Sequence, residues 1–208
     1  ANKKQSHMKK VIGFILCLMV LGACSRTQEE KANLLIKEDI QKVLVKPDTY
    51  EPIETKLDSA FAPYDTPECM ENILKCVQLF IEFKRYEENI KDARSMMTIF
   101  EDNLGSPYLK NEYNEHKAEY KEATNKKNEI ERRLKRSVNK LRELANAKRE
   151  FIGYKTMHHY RADNNAGNTV LGTVFYLFDK DINTILISFS EEEIKLMQEA
   201  SEELGAIE

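Results

Sequence analysis

Apolar positions fall into blocks of different period along the 208-residue chain. The first block is continuous: Val11 to Ala23 is an apolar and small-residue run behind Lys9 and Lys10. At ~13 residues it spans ~20 Å as a helix, short of the ~30 Å hydrocarbon core of a bilayer. A basic start, an apolar centre and a small-residue end give it the form of a secretory signal, not of a membrane anchor. Ser25 to Ala32 has no apolar period and reads as a polar tether. Leu34, Ile36, Ile40, Val43 and Leu44 then return to one face of a short helix over 34–45. Lys46-Pro47 ends it, because the residue before proline is pushed out of the α region. Asp48 to Phe61 is a β-leaning stretch (Thr49, Tyr50, Ile53, Thr55, Leu57, Phe61). Its Pro52 confines such a strand to a sheet edge or an irregular start.

From Glu68 to about Asn103, Met70, Ile73, Val77, Phe80, Phe83, Tyr86, Ile90, Ala93, Met97 and Phe100 recur at spacings of three and four, a long helix. Gly105, Ser106 and Pro107 supply a stop and a restart. The second helix runs to about Glu150 with a nearly heptad stripe: Leu109, Tyr113, His116, Tyr120, Ala123, Lys127, Ile130, Leu134, Ser137, Leu141. Two stripes joined by a short turn fold back as an antiparallel pair. Lys127 and Ser137 weaken the seam, so its middle is expected to fray or bend. Phe151–Ala162 and Thr169–Asp179 are rich in Tyr, Phe, Val and Thr and flank the turn Asp163-Asn-Asn-Ala-Gly-Asn168. They read as a β-hairpin. After Lys180–Asn183 a third strand follows at Thr184–Phe189, and Ser190-Glu-Glu-Glu193 opens a last helix through a capping box. The expected fold is α+β: a small antiparallel sheet of three to four strands, flanking N- and C-terminal helices and a long antiparallel helical hairpin inserted. By segment, 1–23 is an upstream extension (Ala1–His7) and signal peptide, 24–33 a tether, 34–67 with 151–208 the α+β domain, and 68–150 the insertion.

Composition supports helices: 32% of residues are charged, with only seven glycines and five prolines. Removing residues 1–23 leaves 28 basic against 35 acidic residues, net −7 with the signs well mixed, which argues against a nucleic-acid partner. Cys69 and Cys76 lie seven residues apart. On one helix that separation is ~10.5 Å, beyond the ~7 Å a disulfide spans. They read as small buried apolar residues, the sharper alternative being a bridge to another chain.

The chemistry is sparse. His158-His159 is the one paired-ligand pattern, but adjacent strand residues point to opposite faces and cannot readily share a metal. Lys155, His159 and Arg161 share one face, with Met157 among them, and form a candidate contact for an anion or an acidic sugar. His116 lies on the helical seam as a packed histidine. The basic run Lys126–Arg136 is a solvated helix face that could also meet anionic lipid or a polyanion. No Gly-x-Ser-x-Gly, phosphate-cradling loop or zinc spacing is present, so the chain carries no signature of a catalytic centre, metal or cofactor. Asp163–Asn168 and Asp179–Asn183 lack the glycine and terminal glutamate of a calcium loop and read as turns.

Leu21-Gly22-Ala23-Cys24, behind that basic and apolar lead, resembles the lipobox of bacterial lipoproteins. The resemblance implies export, cleavage before Cys24 and acylation of the Cys24 thiol. Further along, Pro47-Asp-Thr-Tyr-Glu-Pro-Ile53, Leu57-Asp-Ser-Ala-Phe61, His158-His-Tyr-Arg-Ala-Asp-Asn164 and Phe175-Tyr-Leu-Phe-Asp-Lys-Asp181 resemble small lipoproteins of Bacteroides-type bacteria. That family carries over no activity. Ser25 is not the aspartate that retains lipoproteins in the inner membrane of some bacteria, and Glu29-Glu30 is similar to the acidic surface-export signals of the Bacteroides-type family. The expectation is a non-enzymatic, lipid-anchored protein of the cell envelope, at the outer membrane. Its hairpin meets a protein or glycan partner. The alternative is a small ligand-binding or hydrolase domain with its site on the C-terminal β-meander near His159 and Arg161.

Overall fold

The computed structural model describes residues 27–101 and 104–205. Helix α1 (Gln28–Val43) starts six residues ahead of the expected Leu34, because Thr27 and Glu30 form a reciprocal capping box. Glu30 N donates to Thr27 Oγ1 at 3.2 Å and Thr27 N to Glu30 Oε2 at 2.9 Å. Its inner face is Ala32, Ile36 and Ile40, at strict i, i+4 spacing and no more than 1% exposed. Leu34 and Val43 point outward instead. The stretch 24–33 is therefore not all tether: from Gln28 onward it belongs to the folded body.

What the pattern suggested as one strand over 48–61 is three elements: a 3₁₀ turn (Pro47–Thr49), β1 (Glu51–Thr55) and β2 (Asp58–Ala62). Both strands pair antiparallel with the 14-residue β3 (Glu150–Asp163), β1 with its C-terminal half and β2 with its N-terminal half. Pro52 sits in β1 at the sheet edge, as its missing N–H requires. β4 (Thr169–Phe178) and β5 (Ile185–Phe189) complete a five-stranded antiparallel sheet, one strand more than expected. Gly153 marks a bulge in β3 (φ +153°), where a Cβ would run into the Phe178 carbonyl oxygen.

One sheet face carries Tyr154, Thr156, His158, Tyr160 and Ala162, with Tyr176 and Phe178 beside them. α1 covers it, and Ala32, Ile36, Ile40, Tyr176, Phe178 and Ile182 make the core. Each large apolar side chain so buried contributes ~1.5–3 kcal/mol. The opposite face carries Lys155, Met157, His159, Arg161, Phe175 and Leu177. It meets helix α4 (Glu191–Gly205), capped by Ser190 and Glu193 as expected.

Between β2 and β3 stand α2 (Pro67–Glu101) and α3 (Pro107–Ala145), packed along each other as the expected helical hairpin. α3 stops five residues short of Glu150, since Asn146 closes it by donating its N–H to Glu143 O and its Nδ2 to Arg142 O, and β3 takes the chain from Glu150. The stripe on α3 is met: Ala123, Ile130 and Ser137, seven apart, are its buried residues. On α2 only Ala93 of the expected stripe is fully buried, alongside Cys69, Asn72, Leu74 and Leu79. A two-helix interface has room for small groups at its centre, and bulky Phe80, Phe83 and Tyr86 straddle its edges half-exposed. α3 does not fray at its two polar seam positions. Lys127 lays its ammonium 4.7 Å over the Phe83 ring and bonds Glu87 at 2.8 Å. At Ser137 the main-chain oxygen accepts from Asn72 Nδ2 at 2.8 Å.

Candidate functional site

Lys155, His159 and Arg161 stand on one face of β3, as alternation demands. They do not converge. Lys155 Nζ pairs with Asp65 Oδ1 at 2.6 Å, fixing the turn before α2. His159 Nδ1 bonds the Thr173 hydroxyl directly across the ladder at 3.0 Å. Arg161 Nε bonds Glu51 Oε2 at 2.6 Å and lines a polar cleft of about 390 Å³ with Thr49, Asp163 and Thr169. Three separate partners, one in a turn and two on neighbouring strands, leave no shared point for one anion.

Between Lys155 and His159 the same face holds Met157, 38% exposed in mid-sheet. Met157, Phe175 and Phe189 floor a slot of about 280 Å³ that Met70, Ile194 and Met197 wall. This volume is just under the ~300 Å³ at which ligand pockets begin, and the lining is apolar except for Gln198. The sequence had placed Met157 among the cations but held no sign that α2 and α4 would wall it, because those contacts are long-range.

His159 has a hydroxyl neighbour, and Glu191 starts α4 nearby. The Glu191 carboxylate is held below its usual range by its bond to Lys195 first, with His159 a minor contributor. It bonds Lys195 at 2.7 Å, so carboxylate, imidazole and hydroxyl do not form one relay.

His158 points the other way and is fully buried. Its Nε2 bonds Tyr50 OH at 2.9 Å and its Nδ1 bonds Thr55 Oγ1 at 2.7 Å. Tyr160 stacks on the ring at 6.0 Å. Burial, helped by the adjacent His159, lowers its pKa to about 4, so the ring is neutral at pH 7. Burial likewise raises Tyr50 to about 12 and pushes Tyr176, whose hydroxyl donates to Asp39 Oδ2 at 3.0 Å, far up. This polar cluster holds the 3₁₀ turn and β1 onto β3. Sequence alone split the two histidines between faces correctly but did not find Tyr50 and Thr55, which come from over a hundred residues away.

On the hairpin, His116 is packed: it stacks on Phe100 at 5.8 Å and bonds Glu119 at 2.8 Å. Cys69 is buried, Cys76 is half-buried, and both are free thiols on α2. Within the basic run, Lys127 and Lys135 pair with Glu87 and Glu131. At the far end Ile99 (63%), Leu104 (40%) and Tyr108 (68%) are exposed. Among the described residues no group of His, Cys, Asp or Glu is placed to hold a metal ion, and no helix is long and apolar enough to cross a membrane. Cys24 lies outside the described residues. Comparison with protein-family models, with curated proteins and with solved structures returned no significant match.

Proposed function

We propose that the chain is a lipid-anchored cell-envelope protein of the non-enzymatic, interaction type, which presents its helical hairpin to a protein or glycan partner. The observation that carries this reading is the form of the hairpin. Its helices of 35 and 39 residues pack mainly on each other. At 1.5 Å per residue they set their tip ~50 Å from their base. That tip exposes Ile99, Leu104 and Tyr108 on a mostly charged rod, where Ile81 and Met96 are the other exposed large apolar groups among the described residues, and exposed apolar groups ringed by polar ones mark contact surfaces. The address rests on the basic, apolar and Leu-Gly-Ala-Cys24 lead.

Two experiments test the two halves. Cys24→Ala removes the acylated thiol and is expected to abolish incorporation of a fatty-acid analogue and release the protein from membranes; retained label overturns the anchor. A photoreactive residue at Lys110 is expected to capture a discrete partner in cells, and Ile99→Glu with Tyr108→Glu to lose it. An adduct unchanged by that pair overturns the tip as the contact.

A second reading has one specific observation in its favour. The apolar slot over Met157 would suit a small hydrophobic ligand. Methionine lining adapts to irregular apolar shapes. Saturable binding of such a ligand, lost in Met157→Asp, is the outcome this reading requires.

A further inference from the structure

We infer that one particular end of the sheet, the end at which α1 begins, lies against the bilayer surface. The inference rests on the lipid-anchor reading and adds to it the orientation of the body.

The chain is docked almost from its acylation site. Thr27 caps α1, Gln28 Nε2 donates to Tyr154 OH at 2.7 Å, Lys31 Nζ donates to the Asp181 carbonyl oxygen at 3.2 Å, and Ala32 is fully buried. Only Ser25 and Arg26 separate Cys24 from Thr27. Three Cα steps reach at most ~11 Å, whereas the ten-residue tether expected from the sequence would reach ~35 Å. The headgroup layer is itself ~5–7 Å deep on each side of the hydrocarbon. A lipid on Cys24 thus holds the first turn of α1 within about 4–6 Å of the outer edge of that layer.

The surface brought down with that turn is defined by an aromatic chain. Tyr154, the partner of Gln28, meets Phe151 at 5.3 Å, and Phe151 meets Phe61 at 5.9 Å. Arg149 lies 4.5 Å over Phe61, and three residues on, Tyr64 is 65% exposed. Tyrosine with arginine suits the headgroup level. Basic and acidic groups alternate there: Lys31, Arg149 and Lys180 stand beside Glu30, Glu150 and Asp181. The short covalent reach, not net charge, therefore sets the orientation. Leu171, 74% exposed near the β3–β4 turn, belongs to the opposite end and faces away from the bilayer.

The chain contains no Trp, so one introduced at either end reports alone. Tyr64→Trp and Leu171→Trp are made in the full chain, acylated in cells and reconstituted into vesicles carrying headgroup-nitroxide lipid. Mass spectrometry of the N-terminal peptide reads acylation independently. The expected result is quenching at least about threefold stronger at 64 than at 171, given the shallow depth of the headgroup layer. Twelve Gly/Ser residues inserted before Thr27 are expected to erase that difference. Acylated Cys24 with equal or reversed quenching overturns the orientation and leaves the anchor standing. An unmodified Cys24 overturns both.

Discussion

The His158 imidazole is hydrogen-bonded to the Tyr50 hydroxyl at 2.9 Å across 108 residues of sequence, and its other nitrogen to Thr55 at 2.7 Å. A fully buried ring with both nitrogens engaged ties β1 and the 3₁₀ turn to the sheet. It also makes stability depend on pH. The folded ring titrates at about 4, against 6.5 for the ordinary side chain, so the unfolded chain takes up the proton first. The stabilisation is whole above pH ~6.5 and is lost as pH falls toward 4, by up to ~3 kcal/mol. Urea midpoints at pH 7.5 and 4.5 are expected to differ by more in the native chain than in His158→Gln. An equal pH dependence in both would remove His158 as the cause.

Asn72 is 6% exposed and donates to the Ser137 oxygen across the hairpin. Asn72→Ala should cost ~1–2 kcal/mol, the bond plus a small void. Hydrogen exchange should locate the loss in α2 and α3, with amides of β3 and β4 unchanged.

Tyr160 lies across Gly172, where a Cβ would come 2.5 Å from ring Cζ. Gly172→Ala must displace the ring at a cost of ~1–3 kcal/mol. In the background of Tyr160→Leu the same change should cost clearly less. Strict additivity in this double-mutant cycle would show that the ring is not what excludes the methyl.

Ile182 is a β-branched residue at φ +53°, and it is 2% exposed in the core. Such a conformation persists only where its surroundings impose it. The Asp179 carboxylate does so, accepting the N–H groups of Asn183 at 2.7 Å and Thr184 at 3.0 Å. Asp179→Ala is expected to destabilise by ~1–2 kcal/mol, and Asp179→Asn, which keeps one acceptor, by less, in thermal melts.

Burial raises both helix thiols, with Asp65 and Glu68 adding to the rise at Cys69. In a chain with Cys17→Ser and Cys24→Ser at pH 8, a thiol reagent should modify half-buried Cys76 before buried Cys69, and both more slowly than in urea. Reaction of Cys69 first would contradict the packing of the α2 base.

Local pattern alone determined much of this protein. The α3 stripe, the β3–β4 hairpin and its turn, the edge proline and the Ser190 cap depend on residues within a few positions of one another, so a one-dimensional reading reaches them. The proposed address at Cys24 rests on neighbouring residues alone. Tertiary structure decided the rest. Which polar seam residues find a partner, as Lys127 does in Glu87, depends on the other helix. Whether three cations on one strand face meet or part depends on Asp65, Thr173 and Glu51, which lie in other elements. The start of α1 shows both levels: Thr27 and Glu30 form a capping box that the local sequence spells out. What holds the helix there is Ala32 buried in one cluster with Tyr176 and Phe178, which exists only once the sheet has formed.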